Sequence, residues 1–463
     1  MSVDAPRRVR SVPPAALRAL FALVVIALGL LLGGGGAAAP PTEAAARLVP
    51  DSALVFVHVS LDEEREPVRR AAETADDFAS YKRLRDQVVS QLRAPGCDLA
   101  VRALRSAEHA ALALLDAGDG AAGSLVLIDT GREQDDTGER DCGALRATHI
   151  GRFLALGQAE TLKLARDLHA GRGGTSLAEG RLSAGALRAL PTDRVVDGWV
   201  SAAGVRRLLA PQGGLLGLAG TLVDQPALRG AAFALSPAGP GARLTVRSIL
   251  DADLQRRLGG SKPFRPTLAS ELPAGAMAYL GVGDLKPALR RLARTSGGLG
   301  DLVADLPDEV LRLFSGEAAV MLSPASPAPI MSIVARTDDE NAARERLRKL
   351  PARMKRVFVG DVFDGKVALA TSREGLRALR AGGPRLDETP RWNSVAKVDG
   401  DSRVSSVLFL DFSRLLTLAE QTGLDSSSAY RAVRDDLSKV GAIGARTSGS
   451  DRETTSEIVL LIT

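Results

Sequence analysis

Four histidines, His58, His109, His149 and His169, are the side chains in this sequence best suited to acid–base or metal chemistry. All lie in the first half, and none sits in an HExxH motif or an i,i+4 pair that would aim two imidazoles at one metal. His58 and His109 fall in stretches that read as strands, and if those strands are neighbours the two rings come into contact. Gly360-Asp361-Val362-Phe363-Asp364-Gly365-Lys366-Val367 nearly spells a phosphate loop. That chemistry needs Ser or Thr after the lysine for magnesium and a helix whose amides face the phosphate. Here Val367 opens a strand and two aspartates would repel the ligand, so a hairpin turn is the expectation. Gly281-Val282-Gly283 follows a strand as a dinucleotide fingerprint does, but Lys286 stands where the third glycine belongs. Asp135, Asp136, Glu139 and Asp141 lack a calcium-loop pattern and read as a solvated, acidic helix start. No GxSxG elbow occurs. Paired carboxylates stay open, because acidic residues distant in sequence can converge in space. The expectation is no catalytic residue set, no metal site and no cofactor.

Cys97 and Cys142 are the two cysteines. Their spacing fits neither a CxxC redox motif nor a zinc site. A bridge between them would close a loop of about 46 residues, worth roughly 4 kcal/mol by loop entropy. The alternative is two free, buried thiols. Leu208 to Leu222 is almost uncharged, with Gly213, Gly214, Gly217 and Gly220 among leucines. It either packs closely on its own sheet or offers Leu208, Leu209, Leu215, Leu216, Leu218 and Leu222 as a surface for an apolar ligand or partner.

The segment ahead of these elements decides how the cysteines are read. Arg7, Arg8, Arg10 and Arg18 precede an uncharged apolar run, Ala19 to Leu32, and then small residues from Gly33 to Ala39. Positive flank, apolar core and small residues are the order of an export signal. The run is short for a spanning helix, yet no charge appears before Glu43, so cleavage and retention as a membrane anchor both remain open. Either way the body is expected outside the cytoplasm, where a disulfide persists. Residues 1–46 also account for two of the five formal positive charges. The rest are interspersed with acids, and aromatics make up only 3% of the chain, too few for base-stacking surfaces. Nucleic acid is therefore not the expected partner.

With 463 residues the chain is long enough for two domains, and it repeats itself. Pro50 to Val59 is echoed by Pro273 to Val282, Glu108 to Leu112 by Glu317 to Met321, and Thr130-x-x-Glu133 by Thr337-x-x-Glu340. Gly151 to Leu156 matches Gly365 to Ala370, and Val195 to Val200 matches Val404 to Phe409. The Thr/Glu quartets read as helix capping boxes. The expected fold is α+β: two tandem related repeats, residues 47–260 and 261–463, each a mainly antiparallel sheet with helices on one face.

Leu48-Val49-Pro50-Asp51-Ser52-Ala53, Asp193-Arg194-Val195-Val196-Asp197-Gly198-Trp199 and the run from Val205 to Gly217 resemble an uncharacterised family of exported actinobacterial proteins, domain of unknown function 3352. The resemblance spans most of residues 47–463. It implies an envelope location and a repeated α/β architecture, and it carries no catalytic residue, ligand or activity. The expected role is an exported or membrane-anchored envelope protein acting as a non-catalytic binding or structural module. Its partner would be the membrane, through an uncleaved N-terminal segment, or an unidentified envelope component. A carrier or sensor of an apolar ligand and an unrecognised envelope hydrolase are the alternatives.

Overall fold

The computed structural model describes residues 40, 42–83, 97–116, 122–134, 138–143, 145–209, 226–258, 262–285, 312–314, 316–326 and 328–463. The apolar N-terminal run and Leu215, Leu216, Leu218 and Leu222 lie outside the described residues. Among the described residues no helix is long and apolar enough to cross a membrane. The chain is α+β and divides into two compact units: residues 1–237 with 244–250, and residues 238–243 with 251–463.

Strand formation in the first unit follows runs of β-branched and apolar residues that bury both faces. β1 (Val55–Ser60) is buried at every position, and β2 (His109–Asp116) at all but its last. They are joined by β3 (Ala122–Asp129), β4 (Arg140–Cys142), β5 (Leu145–Ile150), β6 (Phe153–Gly157), β7 (Val196–Ser201) and β8 (Leu228–Pro237). All pairings are antiparallel, in the order β4-β5-β6-β3-β2-β1-β7-β8. Helix α1 (Thr42–Ala46) buries Ala45 and Ala46 in a core with Phe56, Ala113, Leu125 and Trp199. Helix α2 (Ala159–His169) adds Leu162 and Ala165, and α3 (Ser183–Arg188) adds Ala186 and Leu187.

The second unit is built from β9 (Ala278–Val282), β10 (Ala318–Ser323), β11 (Ile330–Arg336), β12 (Val359–Phe363), β13 (Lys366–Ala370), β14 (Ser406–Leu410), β15 (Val440–Gly449) and β16 (Glu453–Ile462). Its antiparallel order is β12-β13-β11-β10-β9-β14-β15-β16. Neighbouring residues on these strands alternate between two cores. Val334 and Ala368 pack with Leu379 of α5 (Arg373–Arg380), whereas Ile333, Ala335, Val367 and Leu369 pack with Ala343 of α4 (Glu340–Arg348). The expectation of helices on one face is therefore corrected. Strands apolar at successive positions need cover on both sides, and one helical layer cannot supply it.

Register corrects three of the sequence matches by one residue. Val59 lies opposite Ala110, and Val282 opposite Ala318, so the position of Glu317 corresponds to His109 rather than Glu108. Phe56 faces Trp199 where Tyr279 faces Phe409, which moves the β7–β14 match by one as well. The hairpins Ile150↔Phe153 and Phe363↔Lys366 align Gly151 with Asp364, not with Gly365. Both turns need left-handed backbone: Gly151 has φ 57°, Asp364 φ 48° and Gly365 φ 66°. An Asp-Gly pair meets that demand as well as glycine does.

The capping boxes are corrected too. Asp339, not Thr337, caps α4 by accepting from the Ala342 amide at 2.9 Å, and Glu340 accepts from the Gly365 amide at 2.8 Å. Thr130 instead donates to the Arg152 carbonyl at 2.8 Å, and the described residues after it form no helix start. Asp135 and Asp136 lie outside the described residues, whereas Glu139 pairs with Arg146 and Arg166 ahead of strand β4, which holds Asp141.

Gly198 in β7 is a close-approach position, where a Cβ would run into the Phe56 carbonyl oxygen and the Phe233 ring. Gly198→Ala is expected to lose about 1–3 kcal/mol by overpacking, despite the lower backbone entropy of alanine. Urea unfolding measures it, and a midpoint equal to the parent's would show that the sheet opens there without strain.

Candidate functional site

Polar residues inside an apolar sheet are the exception that needs explaining. Alternation along β1 puts Phe56, His58 and Ser60 on one face, and register sets the row across the sheet. His58 lies opposite Ala111 on one side and Asp197 on the other, and Ser60 opposite His109. Farther along the same face, the row holding Phe56, Ala113 and Trp199 is wholly apolar and belongs to the core. The polar row is thus the end of the core layer nearest α1.

Asp197 is fully buried and is the centre of this row. Its Oδ1 lies 2.9 Å from His58 Nδ1, and its Oδ2 accepts from the Thr42 hydroxyl at 2.7 Å. Arg194 Nε stands 3.4 Å from the same Oδ2. Since Asp197 accepts, the bond is donated by His58 Nδ1, and Nε2 is the ring nitrogen left over. That Nε2 is buried without a hydrogen-bond partner, as are Ser60 Oγ and His109 Nδ1. The two imidazoles stack with centroids 5.4 Å apart and planes at 22°. Burial, helped by the neighbouring His58, Arg65 and Arg152, pushes the His109 pKa down to about 3, so it is neutral at physiological pH.

A second guanidinium, Arg65, adds its positive charge to the electrostatics of this cluster. Arg65 donates to the Arg194 and Thr192 carbonyls, each at 3.0 Å, and its burial lowers its pKa. Beyond His109, buried Asp129 accepts from Arg152 at 2.8 Å and from the Gly131 amide at 2.8 Å. The same sheet position in the second unit is filled differently. Gly281 and Val407 stand where His58 and Asp197 stand, and Glu317 replaces His109. Glu317 is fully engaged: the amides of Thr267 and Leu268, the Thr267 hydroxyl and Arg336 all bond it. Glu271 completes that network through Lys366, at 2.6 Å, and Arg336.

The fold brings together few of the residues singled out from the sequence. Cys97 and Cys142 form a disulfide, with Cα atoms 4.7 Å apart and both residues buried. It ties the short edge strand β4 to the residue before the helix Asp98–Ser106. Reduction is expected to lower unfolding free energy by about 2–4 kcal/mol, read as a drop in denaturation midpoint with reductant. A midpoint indifferent to reductant would mean that the edge is held by packing alone. Leu208 is buried, at 1% exposure, and its neighbour Leu209 continues the same short π-helix. The glycine-rich turn at Gly360–Val367 is the expected hairpin, with Lys366 spent on Glu271. Among the described residues no group of three His, Cys, Asp or Glu side chains is placed to hold a metal.

Comparison of the chain with protein families, with curated proteins and with solved structures finds no match. The site therefore rests on its own chemistry. Sequence reasoning passed over Asp197, Thr42 and Arg194. Their signal is a charged residue inside an otherwise apolar strand, Val196-Asp197-Gly198-Trp199, which implies a buried partner.

Beside the row lies a recess of about 160 Å³, with Thr42, Glu43, Leu187, Arg188 and Arg194 in its lining. Thr42 and Arg194 belong to both the recess and the Asp197 cluster. A ligand in the recess would touch groups that hold Asp197 directly.

Proposed function

We propose that the protein is an extracytoplasmic envelope module that works by binding or as a structural part rather than by catalysis. The observation that carries this reading is the Cys97–Cys142 disulfide, a bond that persists in oxidising compartments. The Arg-flanked apolar run ahead of the folded units supplies the export signal or anchor. The like strand orders of the two units support a duplicated domain, and the resemblance to the exported family fits the same location.

A hydrolase reading has one observation in its favour: Asp197 and His58 form the orienting half of a Ser-His-Asp arrangement. Against it, His58 is wholly enclosed, so its Nε2 has no path to a substrate. A catalytic base must reach the proton it takes.

Expression of the full chain in a bacterium, followed by protease treatment of intact spheroplasts and thiol alkylation, tests the proposal. The folded body should be digested from outside, and mass analysis should show one intramolecular bridge. A protease-protected body, or two alkylatable thiols in unreduced material, would overturn it.

A further inference from the structure

The recess of the first unit joins an apolar floor to two guanidiniums, one paired with Asp197 and the other with no carboxylate partner among the described residues. Ala46, Ala178, Ala184 and Leu187 supply apolar lining, and Arg188 and Arg194 supply two guanidiniums. The only acid among the lining residues, Glu43, is engaged by Arg47 at 3.0 Å. Arg188 spends its Nε on the Ala184 carbonyl at 3.1 Å and has no carboxylate partner among the described residues.

Arg194 is the deeper of the two, its side chain only 8% exposed. Its Nη1 donates to the Pro191 carbonyl at 2.8 Å, while its Nε makes no hydrogen bond despite lying 3.4 Å from Asp197. Asp197 is shared with Thr42 and His58, so it answers Arg194 only in part. One carboxylate shared among Thr42, His58 and Arg194 offsets the guanidinium's charge only in part, and Arg188 adds a second positive charge at the same recess.

We propose that this recess is a binding site for a small organic carboxylate. The ligand's carboxylate sits between Arg188 and Arg194, and its short apolar body lies on the alanines and Leu187. Planar guanidinium donors match a carboxylate's two oxygens. The recess falls below the roughly 300 Å³ at which sites for drug-sized ligands begin, so only a short-chain acid fits. An apolar lining disfavours inorganic phosphate, which has no apolar surface to bury and a full hydration shell to lose. Binding would be transmitted to Asp197 through Thr42 and Arg194, the two residues common to recess and cluster. This inference deepens the binding reading of the envelope module by naming its ligand class.

The test is calorimetric titration of the purified full chain at neutral pH and low salt with sodium butyrate, n-butylamine and inorganic phosphate. Butyrate should bind saturably in the millimolar range, phosphate roughly tenfold more weakly, and butylamine not at all. Arg188→Gln, at an exposed position where folding is not at stake, should weaken butyrate roughly tenfold. Arg194→Gln should abolish binding if the variant folds. Absence of saturable butyrate binding, phosphate binding as tight as butyrate, or an Arg188→Gln variant with parental affinity would each overturn the assignment. Each of those outcomes leaves the location reading intact, because that reading is tested by protease access and thiol state.

Discussion

Asp197→Ala should destabilise the first unit by about 3–5 kcal/mol, the loss expected when one partner of a buried charge pair is removed. The substitution leaves the Arg194 guanidinium, the Nδ1–H of His58 and the Thr42 hydroxyl facing an empty, buried position. Asp197→Asn keeps the size and one acceptor oxygen, so its loss should be smaller. The second unit suggests how to relieve the penalty. It carries Gly281 and Val407 at the positions of His58 and Asp197, with no polar pair between the strands. His58→Gly combined with Asp197→Val should therefore lose less than the two single changes added together. A coupling of about 1–3 kcal/mol is expected for groups in direct contact. Urea unfolding with unchanged slope measures these values. An Asp197→Ala variant within about 1 kcal/mol of the parent would show that the row is solvated and that the carboxylate is not its organiser.

Acid should weaken the fold in a window set by His109. Its pKa falls from the ordinary 6.5 to about 3 on folding, so between these values the unfolded chain binds a proton that the folded chain refuses. Stability from this group is complete above the unfolded pKa and is lost as pH drops toward the folded one. The full excursion is on the order of 4 kcal/mol. Unfolding free energies at several pH values across that window, for the parent and for His109→Gln, isolate the contribution. The variant should show a flatter profile, because glutamine stays neutral throughout. Parallel profiles would mean that His109 already titrates normally in the folded protein, as it would if the stacked imidazole pair opened to water.

The cysteines show what sequence can settle at a distance. An even count in a chain whose N-terminal run reads as an export signal favours a bridge, and the fold sets the two Cα atoms 4.7 Å apart. Strand assignments were equally legible, since apolar runs between turn residues force extended, buried backbone. Offsets near turns were not legible to the residue, because Asp364 and Gly151 satisfy the same left-handed geometry with different side chains. Two-sided cover was implicit in the successive apolar positions of β1, yet assigning helices to faces requires knowing where the chain crosses the sheet.

By itself the sequence determined the α+β class, the strand-forming segments, the cysteine bridge as one of two outcomes, and the absence of a recognisable catalytic motif. These follow from local composition and periodicity, which act over a few residues. The tertiary structure alone decided that Thr42, His58, His109, Arg194 and Asp197 share one buried row. They are separated by up to 155 positions; antiparallel register across β2, β1 and β7 gathers His109, His58 and Asp197, and Thr42 of α1 and Arg194 ahead of β7 close on the carboxylate. A one-residue slip would turn His58 and Asp197 to opposite faces of the sheet. The row exists because burial of Phe56, Ala113 and Trp199 on the same face fixes that register, and the polar groups must then satisfy one another where they fall.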